Sequence, residues 1–175
     1  VLCDALLQLA VRSRNLDVRL ACLLAPDQVP RRYVPALAQI SLSSEIDLSL
    51  RALACARIIE NGFYSAWPLA RAILLTGTAT DSEQGHPYPD WRRSGRYELP
   101  KRLLCIQLQK VFKQRHQAAF VFEPNAAWKI QEQQIAAIDA QLKRFQPPRV
   151  ESSFQVLANS KHPLAPAITD LLGLD

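Results

Sequence analysis

Proline placement and helical spacing, taken together, constrain this chain most. Pro26, Pro35, Pro68, Pro100, Pro124 and the pair Pro147-Pro148 stand at the edges of stretches whose apolar residues recur every three or four positions. Proline is tolerated in a helix's first turn, where its missing N–H is not needed, and it stops a helix that runs into it. With 12 Pro and only 5 Gly, a glycine-turned all-β chain is disfavoured. The expected fold is mainly α: an irregular helical bundle or a short stacked helix-pair array, with at most a small two-stranded β element. The competing architecture is α+β, with LDVRLACLL and FVFEP as core strands.

The local signals follow in chain order. Leu2, Leu6, Leu9 and Val11 share helical spacing, and Asn15 can cap a second helix that stops before Pro26. RYVPALAQIS places Pro35 in a first turn. In EIDLSLRALACARIIENG, Ser44 is the expected N-cap, Glu45 and Asp47 suit the positive end of the helix dipole, and Asn61-Gly62 form the stop. SAWPLARAILLTG repeats the pattern of early proline and late glycine.

A faint periodicity links these helices. Leu16–Leu20 lies 30 residues before Ile46–Leu50, and Val34–Leu37 lies 33 residues before Trp67–Ala70. Each unit reads as a helix followed by a helix with proline at its first turn. Such units bury their faces on neighbours. The stretch DVRLACLL resembles the inner helix of a HEAT-type repeat, but on so short a segment no family is assigned.

The second half is organised differently. Pro100 is expected to open a long helix, PKRLLCIQLQKVFKQRHQ, with Leu103, Leu104, Leu108, Val111 and Phe112 inward. Arg102, Gln109, Lys110 and Lys113 gather on its outer face, with Ile106 among them. Ala119–Phe122 reads as a short strand or an extended linker, and ESSFQVLAN (151–159) as its edge-strand partner. Asn125 is expected to cap the last long helix, whose seam of Trp128, Ile135, Ile138, Leu142 and Phe145 is narrow enough for a coiled coil. That seam either packs on the domain or supports self-association through 125–146. LAPAITDLLGLD reads as a final short helix. The expected organisation is a helical-pair region over 1–76, a long basic and aromatic loop over 77–97, and two long helices with short C-terminal elements over 98–175. These form one compact domain. The absence of Met and the start at Val1 suggest a domain taken from a longer chain.

Cys3, Cys22, Cys55 and Cys105 each lie in an apolar stretch, far from one another, as buried thiols do in a reducing setting. An intracellular, cytoplasmic location is expected. No signal peptide or membrane-spanning run is present, so no membrane partner is expected.

Motifs for phosphate loops, dinucleotides, zinc hydrolysis and nucleophile elbows are absent. His86, His116 and His162 stand far from one another, so their spacing supports neither a metal site nor a cofactor. Cys105 with His116 or His86 is the one pair that could assemble a nucleophile. The expectation is a binding module rather than an enzyme.

Charge carries the functional signal. Residues 92–116 hold eight basic side chains and one acidic, against eight and nine before them and five and six after. That segment, at +7, outweighs the −1 on either side of it to give the formal charge of +5. Clustered Arg and Lys neutralise phosphates, and interleaved aromatics stack on unpaired bases. Trp91, Arg92, Arg93, Arg96, Tyr97, Lys101, Arg102, Lys110 and Lys113 are the candidate nucleic-acid contacts. The alternative is a scaffold domain whose basic surface meets an acidic protein. The bland reading is a solvated face with its arginines paired to carboxylates.

Overall fold

The computed structural model describes residues 2–75 and 98–145, and within them the chain is mainly α, without strands. Its helices are α1 (Leu2–Arg12), α2 (Leu16–Leu24), α3 (Val34–Leu42), α4 (Leu48–Glu60), α5 (Trp67–Leu75), α6 (Glu98–His116) and α7 (Trp128–Phe145). Single 3-10 turns at Arg31–Tyr33 and Tyr64–Ala66 lead into α3 and α5. The α+β alternative fails because LDVRLACLL coils into α2 and the FVF stretch makes no ladder.

Helix α4 is the axis of the packing. Every residue from Ala52 to Ile59 is buried, so this helix is enclosed on all sides. Ala52, Ala54, Cys55 and Ala56 let neighbours approach closely. Leu50, Leu53, Ile58 and Ile59 supply the large apolar groups, each stabilising by roughly 1.5–3 kcal/mol when buried. The helix packs along α3 and α6 and also meets α2 and α5, while α1 lies on α2. The close pairs are therefore α1 with α2 and α3 with α4, one helix out of register with the units suggested by the sequence spacing. Short connections of residues 13–15 and 43–47 close those pairs, and short links favour adjacent packing.

Helix ends follow the local chemistry in some places and depart from it in others. The Asn15 side chain accepts from Asp17 N (2.8 Å) and Val18 N (3.2 Å), as expected of a cap. Helix α4 starts later than expected. Its cap is Asp47, whose Oδ1 accepts from Ser49 N at 2.8 Å, and Ser43 to Ile46 form a turn instead. Asn61 closes the helix, and Gly62 follows at φ 86, the left-handed conformation that glycine adopts without strain. Pro100 falls within the first turn of α6, which begins two residues earlier. Asn125 does not cap α7, which begins at Trp128. The Gln131 amide instead donates back to Pro124 O (3.0 Å) and Ala126 O (2.7 Å), fixing the turn before the helix.

One buried cation ties α4 to the end of α2. Arg57 is 3% exposed. Its guanidinium donates to Leu23 O (3.1 Å), Leu24 O (3.1 Å) and Pro26 O (2.7 Å), and to Glu60 at 2.9 Å. The carbonyls left unsatisfied where α2 ends thus find a donor in another helix.

Helix α7 docks through side chains. Ile135, Ile138 and Leu142 are buried, and Trp67 Nε1 donates to Asp139 Oδ1 at 2.5 Å. The expected seam therefore faces the chain's own core, with Trp128 and Phe145 half-buried at its ends. Contact with a second copy through these residues would require α7 to lift away. The pairing of 151–159 with Ala119–Phe122, and the final helix in 164–175, lie outside the described residues.

Candidate nucleic-acid interface

Helix α6 divides cleanly. Leu104, Leu108, Val111 and Phe112 are buried, and Leu103 is half-buried. Arg102, Ile106, Gln109, Lys110 and Lys113 are all exposed, because steps of three and four residues return to the same face. At 1.5 Å per residue, Arg102 and Lys113 are separated by about 16 Å along the axis. Among the described residues, neither they nor Lys110 pair with a carboxylate. The described ion pairs, Arg32–Asp4, Arg57–Glu60 and Arg71–Asp139, lie elsewhere.

Lys101 corrects the sequence expectation. It is 5% exposed, one step round the helix from Arg102, and so does not join the outer row. Its position at the buried side of the first turn brings its charge near Cys105. Trp91, Arg92, Arg93, Arg96 and Tyr97 lie outside the described residues.

The end of α6 builds features that periodicity does not reveal. Gln117 takes φ 50, left-handed for a non-glycine residue, and Ala118 N then donates to Phe112 O at 3.2 Å. The chain leaves the helix as a linker without regular structure over Ala118–Phe122. Phe120 and Phe122 are buried, and Ala119 and Val121 are exposed. Phe120 meets Phe112 edge-on at 5.2 Å. Beside this linker lies a groove of ≈ 600 Å³, lined by Gln109, Lys113, Gln117, Ala118, Ala119 and Phe120. A smaller groove of ≈ 290 Å³ lies on the linker's α7 side, against Val121, Ile130 and Ala137.

His116 locks this end to the body. Its ring stacks on Phe145 with centroids 3.8 Å apart and planes 3° from parallel, and the Tyr64 hydroxyl hydrogen-bonds its Nε2. Burial, reinforced by the Arg115 charge, lowers its pKa from the ordinary 6.5. Arg115 itself lies over Gly62, where a Cβ would come within 2.8 Å of Nη1. That places a cation at the negative end of α4.

The thiols are core groups. Cys22, Cys55 and Cys105 are buried and Cys3 is half-buried, all of them unbridged. Burial pushes Cys55 up to about 12 and Cys105 up to about 11. Cys105 is thus a protonated thiol at neutral pH, and only the thiolate is nucleophilic. No group of three or more metal-ligating side chains occurs among the described residues, and no helix there is long and apolar enough to cross a membrane. The chain has no significant match to a protein-family model, a curated protein or a solved structure.

Proposed function

We propose that this chain is a nucleic-acid-binding helical module that contacts phosphates through the outer face of α6. The observation that carries the reading is the exposed row of Arg102, Lys110 and Lys113, none paired with a carboxylate among the described residues. That row sits inside the one strongly basic segment of an otherwise slightly acidic chain. Cations not neutralised within the fold are available to displace counterions from a phosphate backbone. Arg92, Arg93 and Arg96 are proposed to extend the contact on the N-terminal side, with Trp91 or Tyr97 stacking on bases.

The reading is of binding rather than catalysis, since the one cysteine considered as a nucleophile is a buried thiol. A double charge reversal tests it. Arg102→Glu with Lys113→Glu should weaken oligonucleotide binding at low salt by at least tenfold, while the far-UV helical signal stays unchanged. Retained affinity would remove α6 from the interface.

An acidic protein partner is the second reading, and Ile106 favours it. This residue is 43% exposed in the middle of the cationic row, where an apolar side chain suits a protein surface better than a phosphate backbone. Ile106→Ala should weaken such a complex and leave oligonucleotide affinity unchanged.

A further inference from the structure

Three observations converge at the C-terminal end of α6. The first is the open groove of ≈ 600 Å³ beside Lys113. The second is the backbone of Gln117. An L-residue at φ 50 is strained, and strain of this kind persists only where the surroundings hold it in place. Here it turns the chain so that Ala118 to Phe120 run along the groove. The third is a set of hydrogen-bonding groups left open. Among the described residues, neither the Gln109 amide, the Gln117 amide nor the Lys113 ammonium has a hydrogen-bond partner, and the backbone of Ala119 and Phe120 has none either.

Resting on the nucleic-acid reading above, we propose that this groove receives an unpaired base, so that the preferred ligand is single-stranded. Each glutamine amide presents a donor and an acceptor, the combination that a base offers on its pairing edge. Lys113 belongs both to the phosphate-contacting row and to the groove wall. It therefore links the backbone contact to the base contact within one nucleotide. Ala118 and Ala119 add apolar lining for a ring to meet, while Phe120 packs edge-on against Phe112. A base inside a duplex has its pairing edge occupied and its faces stacked, so entry requires it to be extruded. Duplex binding then uses the cationic row alone, and single-stranded binding uses the row and the groove.

Fluorescence anisotropy with a single-stranded oligonucleotide and its duplex, each at two salt concentrations, tests this on the full chain. The variant is Gln109→Ala with Gln117→Gly. Glycine at position 117 relieves the left-handed strain, so the melting temperature should equal or exceed that of the wild type, which excludes misfolding as the cause of any loss. The expected result is an approximately tenfold loss of single-stranded affinity, the worth of two neutral hydrogen bonds, with duplex affinity and salt dependence unchanged. A wild type that binds both ligands and a variant that keeps the same single-strand to duplex ratio would overturn the base pocket while leaving the cationic row intact. A wild type that binds neither at low salt would overturn the nucleic-acid reading itself, and the pocket with it.

Discussion

Arg57 shows how much one side chain can carry when its charge is used on backbone carbonyls. Burying a guanidinium is costly, and here the cost is offset by carbonyls at the end of α2 and by Glu60. Arg57→Ala should therefore destabilise the fold by about 3–5 kcal/mol, leaving a half-buried carboxylate and orphaned carbonyls. Urea unfolding with an unchanged slope would check this. A loss below about 1 kcal/mol would mean that water replaces the guanidinium without penalty. His116 gives the residue-scale dependence on pH. Its folded pKa lies below the 6.5 of an unfolded histidine, so the unfolded chain takes up the proton first. Its contribution is fully present above pH 6.5, declines as pH falls between 6.5 and the lowered folded value, and then levels. The melting temperature of the wild type should fall across that window more steeply than that of His116→Gln. Parallel curves would show that the ring titrates without reference to Tyr64 and Phe145.

At the scale of the element, capping separates what the sequence discloses from what packing decides. Asn15, Pro35 and the Asn61-Gly62 stop are legible because each acts on its own few residues. The start of α4 is not, since Ser43, Ser44 and Asp47 are all competent caps within five positions. The choice falls to the register that buries Ile46 and Leu50 together. Asp47→Ala should cost about 1 kcal/mol and Ser44→Ala close to nothing. Equal effects in thermal melts would return the cap to Ser44. The seam of α7 is visible in the sequence as a stripe, but its partner is not, because the same spacing serves a second copy or the chain's own core. With Ile138 2% exposed, Ile138→Asp should unfold or markedly destabilise the chain, not merely dissociate an assembly. A variant of native stability that loses self-association in sedimentation would show that α7 serves an interface. Gln117 is illegible for another reason. Nothing in its residue type announces a positive φ, which is imposed by the Phe112–Phe120 packing on either side.

For the whole molecule, the sequence shows the helical class through proline placement and residue spacing, and the outer face of α6 through its steps of three and four. The register of helix pairing stays hidden, because α4 touches so many neighbours that its apolar spacing names none of them. Charge counting misplaces Lys101, since it ignores which side of a helix a residue occupies. The molecule is a near-neutral helical body with a row of three exposed cations, Arg102, Lys110 and Lys113, on the outer face of α6, and phosphate binding by those cations is the central claim. Its most direct test is the slope of log affinity against log salt for oligonucleotide binding. Replacing Arg102, Lys110 and Lys113 together by Gln should lower that slope by roughly two to three, about one for each phosphate no longer neutralised, without shifting the melting temperature by more than a few degrees. An unchanged slope, or no salt dependence in the wild type, would contradict the claim that the outer face of α6 meets phosphate.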